Sequence, residues 1–165
     1  MIDDIMTFSA KYMIFVAFAI LALLALRELG RRAWGTLIRV GASLVLAFVF
    51  GLVAAQLYSE QRPFTTHHDL RVLVPHAAGQ SFPSDHATAS FAIAFAVWLF
   101  ISRAWGVLLT LIAVLIGFAR VFSGIHYPGD ILGSVVVAAL GVGVVVAVDT
   151  LRHRERRGRV VEEQR

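Results

Sequence analysis

Long apolar runs constrain the fold of this chain more than any other feature. They lack the 3.6-residue period of an amphipathic helix and the two-residue alternation of a half-buried strand. A helix crosses the hydrocarbon core of a bilayer, roughly 30 Å thick, with about 20 residues. With 58% hydrophobic residues in 165, the chain is predicted to be an all-α, polytopic membrane bundle of about five transmembrane helices. The predicted spans are 6–26, 35–58, 87–102, 106–121 and 131–148.

The rest of the composition indicates one membrane domain. The chain contains no cysteine, which excludes a disulfide framework and a thiolate site. The first apolar run has neither a basic segment before it nor a small-residue cleavage site close behind it, so it is predicted to be a retained span rather than a signal peptide. Residues 1–151 are predicted to form a single transmembrane domain, and residues 152–165 a basic, mixed-charge, solvated tail on the cytoplasmic side.

Arginine is sorted by connection, not arranged as a stripe that would bind nucleic acid, although the net charge is +4. By the positive-inside bias, the arginine-bearing connections and the tail are cytoplasmic. The N-terminus, the loop 59–85 and the connection 122–130 are then outside. The chain is therefore predicted to be a multi-pass protein of a bacterial plasma (inner) membrane, with the bilayer and not nucleic acid as its partner. The arginines that set this orientation are Arg27, Arg31, Arg32, Arg39, Arg103, Arg152, Arg154, Arg156, Arg157, Arg159 and Arg165.

Polar and ionisable residues cluster on the predicted outer side. Such groups are costly at membrane depth and are usually functional there. Each one alone is more simply explained as an interfacial residue in contact with headgroups or water. Their concentration at one end of the bundle indicates a site. These residues are Glu60, Arg62, His76, Ser84, His86, Arg120, His126 and Asp130.

The local pattern around these residues predicts an anion site. Pro83 and Pro128 each suit the first turn of a helix, so the third and fifth spans are predicted to begin there. Both helices would point their N-termini at the outer face, where free N–H groups and the positive dipole end attract phosphate. Arg62 and Arg120 add two guanidinium groups, whose fork matches the oxygens of a phosphate.

Two histidines have spacings that suggest phosphoryl transfer. His126 lies four residues before Asp130, so a carboxylate can orient its imidazole and leave the other ring nitrogen as a nucleophile. His86 has no such partner and is better suited to protonate a leaving oxygen and then activate water. A metal site is the alternative, because His and Asp are also ligands. No His-Glu-x-x-His helix is present, and these acids stand beside arginines, so no metal and no cofactor are predicted.

Three motifs resemble the signatures of the type-2 phosphatidic acid phosphatase superfamily, which includes the vanadium haloperoxidases. They are EQRP at 60–63, PSDH at 83–86 and RVFSGIHYPGD at 120–130. Longer segments, DDIMTF, YSEQRPF, LVPHAAGQSFPSDHATAS and GFARVFSGIHYPGDILGS, are similar to the bacitracin-resistance type of undecaprenyl-diphosphatase. The resemblance implies the helical fold of that superfamily. It also implies hydrolysis of undecaprenyl diphosphate to the monophosphate through a phosphohistidine, at the outer face, to recycle the cell-wall carrier lipid.

The resemblance also implies roles for single residues. His126 would be the nucleophile, Asp130 its partner and His86 the general acid and base. The implied phosphate-binding residues, with the backbone around Gly124 included, are Arg62, Ser84, Arg120, Gly124, Glu60 and His76.

One position departs from the broad superfamily, which carries a lysine seven residues before the arginine of Arg-Pro. Ala55 stands there instead, and Glu60 precedes Arg62 as in the diphosphatase subgroup. The pocket therefore has one cation fewer than the broad pattern predicts.

Other functions fit the same residues. The substrate could be another lipid phosphate, such as phosphatidylglycerophosphate, phosphatidate or an arabinan-precursor prenyl lipid. The chain could also be a non-catalytic lipid-phosphate binder or a carrier-lipid transporter, but binding alone would need only the cations. His67 and His68 lie in an interfacial loop where exposed histidine needs no function. Trp34, Trp98 and Trp105 fit an interfacial aromatic belt.

Overall fold

The computed structural model describes residues 1–67 and 72–163, which form six helices and no strand. An isolated antiparallel bridge joins Gln61 to Gln80. The predicted all-α fold is confirmed. The helices are α1 (Ile2–Gly30), α2 (Trp34–Leu57), α3 (Pro63–Thr66), α4 (Asp85–Phe100), α5 (Arg103–Phe122) and α6 (Pro128–Glu163).

Within the described residues, four helices are long and apolar enough to cross a membrane, namely Ile2–Gly30, Trp34–Leu57, Arg103–Phe122 and the Pro128–Glu155 part of α6. The third predicted span corresponds to α4, which has 16 residues and is shorter than the roughly 20 that a spanning helix needs. Helix α4 is also the central one, since it packs against α1, α2, α5 and α6. Its residues Ile93, Ala94 and Val97 are fully buried. Protein therefore surrounds much of this short helix.

The start of α4 differs from the prediction. Pro83 was expected in the first turn, but α4 begins at Asp85, with Ser84 as its N-cap in an extended conformation. The Ser84 backbone N–H donates to Ser134 Oγ on α6, at 3.0 Å. This bond holds Ser84 outside the helix, so Pro83 precedes the first turn. Pro128 does begin α6, as predicted.

A close approach of two helices sets the position of α6. A Cβ atom built on Gly141 would lie 2.8 Å from Ala47 Cα on α2, so only glycine fits at this contact. Further along, Arg39 Nη1 on α2 lies 2.9 Å from Asp149 Oδ2 on α6. Packing and an ion pair thus join α2 to α6 over much of their length.

Helix α6 continues without a break from Pro128 to Glu163. It passes through residue 151, where the transmembrane domain was predicted to end and the tail to begin. The stretch Pro128–Glu155 of this helix is long and apolar enough to cross a membrane. The position of the boundary therefore stays a prediction, while the segment beyond it is helical as far as Glu163.

The short connections α1–α2 and α4–α5 lie at one end of the bundle. Trp34, Trp98 and Trp105 are partly exposed near these connections, as a belt at that interface would require. The opposite end carries α3, the N-termini of α4 and α6, and the C-termini of α2 and α5. All the predicted site residues belong to this opposite end.

Candidate active site

Asp130 lies in the first turn of α6 and is 1% exposed. Its Oδ2 atom accepts the backbone N–H of Tyr127 at 2.8 Å and the hydroxyl of Ser81, and it lies 3.2 Å from His126 Nδ1. A carboxylate that accepts several hydrogen bonds at the N-terminus of a helix stays ionised and fixed in direction. The Asp130 carboxylate can therefore orient the imidazole of His126.

The contacts of His126 define its tautomer. An ionised carboxylate only accepts hydrogen bonds, so the proton of a neutral His126 lies on Nδ1 and points to Asp130. Its Nε2 atom then carries a lone pair. Arg62 Nη1 and Arg120 Nη2 each lie 3.2 Å from this Nε2 atom. The unprotonated nitrogen of a nearly buried imidazole thus faces two cations.

Burial is the main reason that the pKa of His126 lies below its ordinary value of 6.5. The positive charges of Arg120 and Arg62 lower this pKa further, while the hydrogen bond to Asp130 opposes the shift. The imidazole is therefore neutral at neutral pH. A neutral imidazole is the form that can act as a nucleophile.

Arg62 reaches the site from the start of α3. It is the N-cap of that helix, in an extended conformation, and its Nη1 atom also donates to the Ile125 carbonyl at 3.3 Å. Arg62 is positioned by the pairing of residues 60–61 with residues 80–81. In this pairing, the Ser81 N–H donates to the Glu60 carbonyl at 2.8 Å, next to the Gln61–Gln80 bridge. The first motif is therefore held against the residues that lead into the second.

Arg120 reaches the site from the last turn of α5 and is 4% exposed. Its Nη1 atom donates to the Ala10 carbonyl on α1 at 3.3 Å. Its Nη2 atom lies 3.4 Å from His76 Nε2 as well as near His126. The guanidinium is thus fixed on one side and directed at the two histidines on the other.

Several buried polar atoms around this pair of arginines make no hydrogen bond within the described part of the chain. They are Arg62 Nε, Ser84 Oγ, Thr88 Oγ1, Arg120 Nε, Ser123 Oγ and Asp130 Oδ1. Leaving such a group unsatisfied costs about 1–3 kcal/mol. Apart from the carboxylate oxygen of Asp130, all of them can donate a hydrogen bond. The arrangement therefore suits an anion with several oxygen atoms.

The two other histidines differ in how they meet the site. His76 is exposed, and its pKa is lowered mainly by partial burial and next by the positive charge of Arg62. His86 is in the first turn of α4 and is partly buried. It is close enough to Arg120 and His126 to interact with them electrostatically. Both therefore belong to the same cluster.

Glu60 and Gly124 occupy more peripheral places. The Glu60 carboxylate accepts the hydroxyl of Tyr58 at 3.2 Å, which raises the pKa of that hydroxyl. The Gly124 N–H already donates to the Val121 carbonyl at 3.0 Å. With a φ of 72°, Gly124 makes the left-handed turn that brings the chain from α5 back to His126.

Three serines in the site were not predicted as functional residues. Ser81 bonds Asp130 and lies 3.3 Å from His126 Nδ1. Ser134 accepts the Ser84 N–H and donates to the Asp130 carbonyl at 2.7 Å. Ser123 is fully buried, with its hydroxyl unpaired among the described residues. Ser123 lies inside the third motif, and Ser81 lies two residues before the second. Their closeness to the motifs was the sequence signal that could have identified them.

His67 and His68 were predicted to be interfacial histidines without a function, and the structure describes only His67. His67 is exposed at the end of α3, and His68 lies in the segment 68–71, which the structure does not describe. Among the residues it does describe, no group of three or more His, Cys, Asp and Glu side chains is arranged to hold a metal ion.

The fold and this site define a helical membrane protein with a histidine–aspartate pair in a pocket of arginines and unpaired hydrogen-bond donors. The sequence profile of the PAP2 superfamily matches residues 36–154, and the chain belongs to this superfamily, as its motifs predicted.

Relatives of known name cover most of the chain. Undecaprenyl-diphosphatase BcrC of Bacillus subtilis is 40% identical over 140 residues, which are 84% of this chain and 70% of the relative. Decaprenylphosphoryl-5-phosphoribose phosphatase of Mycobacterium tuberculosis is 34% identical over 143 residues, 86% of this chain and 77% of the relative. The crystal structure of LpxE from Aquifex aeolicus superposes with a TM-score of 0.72 and 20% identity, covering 88% of this chain and 86% of that one. The last comparison supports the fold alone.

Proposed function

We propose that this membrane phosphatase hydrolyses an isoprenoid diphosphate, undecaprenyl diphosphate in particular, to the monophosphate through a phosphohistidine. The observation that carries the proposal is the placement of His126, whose Nε2 atom faces Arg62 and Arg120 while its Nδ1 atom lies 3.2 Å from Asp130 Oδ2. A nucleophile, its orienting group and two phosphate-binding cations meet at one point. The named relative at 40% identity supports the choice of substrate.

In the first step, the Nε2 lone pair of His126 attacks the terminal phosphorus of the diphosphate. An N–P bond forms, and the bond from that phosphorus to the bridging oxygen breaks. The bridging oxygen leaves with the prenyl monophosphate and takes a proton from His86. Arg62 and Arg120, which contact Nε2 before substrate binds, are placed to bind the phosphoryl oxygens, where negative charge develops.

In the second step, water attacks the phosphohistidine. His86, now deprotonated, takes a proton from the water as the new P–O bond forms and the N–P bond breaks. Inorganic phosphate leaves and His126 is neutral again. The hydroxyls of Ser84 and Ser123 and the Nε atom of Arg120 add donors for the phosphate. His76 and Glu60 are proposed to orient the rim of the pocket.

The proposed location is a bacterial plasma membrane, with the site at the outer face and the C-terminus in the cytoplasm. The sorting of arginine supports this orientation. The helix ends that carry the site are opposite the α1–α2 and α4–α5 connections. The enzyme would then act on a carrier lipid whose diphosphate already faces outward, and would return it for cell-wall synthesis.

A second substrate class is a prenyl-linked phosphate monoester. The relative named decaprenylphosphoryl-5-phosphoribose phosphatase, at 34% identity, favours this alternative. The same nucleophile and cations would serve it, but the leaving oxygen would belong to a sugar.

Phosphate release decides between these substrates. The protein, purified in detergent, is assayed with undecaprenyl diphosphate, a prenyl-phosphosugar phosphate, phosphatidylglycerophosphate and phosphatidate. We expect the highest kcat/KM for the diphosphate, inhibition by vanadate, undiminished activity in EDTA, and loss of turnover in His126→Ala with folding retained. Turnover in His126→Ala would contradict the nucleophile. Loss in EDTA that is restored by magnesium or zinc would contradict the metal-free mechanism.

A further inference from the structure

A cavity of about 340 Å³ lies beside the site, between α1, α2 and α4. Its wall is apolar over most of its length, and its polar residues lie together at one end. That end consists of Arg62, Gln80, Asp85 and Thr88. The apolar wall includes Phe18, Phe48, Gly51, Leu52, Ala55 and Ile93.

Arg62 connects this cavity to the nucleophile. Its Nη1 atom is 3.2 Å from His126 Nε2, and the same side chain lines the cavity. Its Nε atom is buried and has no hydrogen-bond partner among the described residues. One guanidinium can therefore bind the reacting phosphate on one side and a second group in the cavity on the other.

Thr88 provides the second observation. It is 6% exposed and lines the cavity, and its hydroxyl makes no hydrogen bond within the described residues. It lies four residues after Ser84, the N-cap of α4, so the two positions are roughly 6 Å apart along the helix axis. The Ser84 hydroxyl is also unpaired among the described residues. Two unpaired hydroxyls at this spacing suit a ligand with two successive phosphates.

The outer edge of the cavity is on the lipid-facing surface of α2. Phe48 and Leu52, which line it, are 61% and 54% exposed. The cavity is at the small end of the roughly 300–1,000 Å³ typical of ligand sites. It can therefore hold the head end of a prenyl chain, while the rest of the chain lies in the bilayer.

The charge of the polar end suits a phosphate that is bonded on both sides. Asp85 is exposed and interacts electrostatically with Arg62. Its carboxylate partly offsets the guanidinium, so a singly charged inner phosphate is accommodated better than a dianion. The inner phosphate of a diphosphate ester carries one negative charge, and it gains a second when the terminal phosphate is removed. The same residues would thus favour the substrate over its product.

We propose that this cavity binds the retained, inner phosphate of the lipid diphosphate and the first part of its prenyl chain. Arg62 and Thr88 contact the phosphate, and the wall near Gly51 contacts the chain. This inference rests on the proposed function and assigns the half of the substrate that does not react.

A second groove provides a control. It has a volume of about 450 Å³ and lies between α4 and α6. All of its lining residues are apolar, and they include Trp98 near the far end of α4 and Gly143 on α6. A Cβ atom added at Gly143 would have no neighbour within 4 Å. A large residue at Gly143 therefore fills a groove that has no polar end and no link to His126.

The first test replaces the hydroxyl of Thr88. In Thr88→Val we expect KM for a prenyl diphosphate to rise about tenfold, because a hydrogen bond to a charged group is lost. The inhibition constant of vanadate, which occupies the pocket of the reacting phosphate, should not change. Thr88→Ser should restore KM. An unchanged KM in Thr88→Val, or an equal rise of KM and of the vanadate constant, would overturn the assignment.

The second test places a larger side chain on the part of the cavity wall that is proposed to contact the prenyl chain. Gly51→Leu is expected to raise KM for the same substrate by about tenfold or more, because the added side chain occupies the space proposed for the prenyl chain. The vanadate constant should again stay the same, and Gly143→Leu should change neither value. Equal effects of Gly51→Leu and Gly143→Leu would refute the assignment. A wild-type protein that is inactive on every prenyl diphosphate would instead refute the proposed function.

Discussion

At the scale of single residues, one carboxylate oxygen orients the imidazole of His126. Asp130 Oδ2 meets the Tyr127 N–H, the Ser81 hydroxyl and His126 Nδ1. If the direction of Nε2 depends on this oxygen, removing one of its donors should weaken catalysis without removing the nucleophile. Small displacements of a reacting group can have large effects on rate.

Ser81→Ala is the corresponding test. We expect kcat to fall about tenfold, since a misdirected carboxylate misplaces the imidazole, while vanadate still binds because both arginines remain. Ser90→Ala is the matched control, as Ser90 is also buried but its hydroxyl donates to the Ala87 carbonyl of its own helix. Ser81→Thr, which keeps a hydroxyl, should recover part of kcat. Steady-state kinetics of the three variants is the measurement. An unchanged kcat in Ser81→Ala would show that Ser81 does not position the imidazole.

The ionisation of His126 predicts a pH dependence. Its imidazole reacts only when neutral, and burial together with Arg120 and Arg62 holds its pKa below 6.5. Activity should therefore be retained as the pH falls through 6.5 and be lost at lower pH, when Nε2 becomes protonated. In Arg62→Gln one depressing charge is gone, so the acid limb of kcat/KM should move to higher pH. Arg62→Lys keeps the positive charge, so its acid limb should lie at the same pH as that of the wild type. If the acid limb of kcat/KM lies at one pH in the wild type, Arg62→Gln and Arg62→Lys, then Arg62 does not lower the pKa of His126.

Residue spacing predicted part of this network and could not predict the rest. The pair His126 and Asp130 is local, four positions apart, and follows from helix geometry. The contact of Ser81 with Asp130 depends on the pairing of Glu60 and Gln61 with the segment 80–81, which is a tertiary interaction. Sequence reasoning therefore predicted the contact between His126 and Asp130 but not the Ser81 hydroxyl that also contacts Asp130.

At the scale of elements, the sequence did not predict the close approach of α2 to α6 at Gly141. Gly141→Val should be destabilising, because its Cβ would lie 2.8 Å from Ala47 Cα, and overpacking of this kind costs about 1–3 kcal/mol. Gly143→Val, two residues along the same helix, meets nothing within 4 Å and should unfold like the wild type. The unfolding temperatures of the purified proteins in detergent provide the comparison, and equal values would show that α2 and α6 can separate at this point.

Hydropathy predicted the number of long helices better than it predicted their ends. Each of the five predicted apolar runs corresponds to a helix, α1, α2, α4, α5 or α6, because lipid requires nearly continuous apolar residues. Helix α4 starts after Pro83 since Ser84 is bonded to Ser134 across the bundle. Helix α6 extends to Glu163, where polar residues with good helix propensity replace apolar ones. Both ends depend on contacts or propensities that a hydropathy pattern does not record.

At the scale of the whole molecule, the alternation of helices places the polar cluster at one end. Residues from three distant motifs meet there, with Arg62 and Arg120 both 3.2 Å from His126 Nε2. The sequence predicted this meeting from topology alone, because the loops 59–85 and 122–130 had to lie on the same side of the membrane. Which side that is depends on the distribution of charge.

Thiol labelling in intact cells tests the proposed sidedness. The chain has no native cysteine, so each engineered cysteine reports its own position. Thr66 is exposed on α3 at the end that carries the site, and Arg159 is exposed near the end of α6. We expect Thr66→Cys to react with a membrane-impermeant thiol reagent in intact cells, and Arg159→Cys to react only after lysis.

The physical reason for this expectation is the arginine content of the two ends. The inverted orientation would place the tail after residue 151, with its six arginines, outside the membrane, against the positive-inside bias. Both variants should retain phosphatase activity, which shows that the labelled protein is folded. If Arg159→Cys reacts in intact cells and Thr66→Cys only after lysis, the site faces the cytoplasm. An enzyme in that orientation could not act on a carrier lipid whose diphosphate is exposed at the outer face, so the proposed role in recycling it would be wrong even if the chemistry at His126 were right.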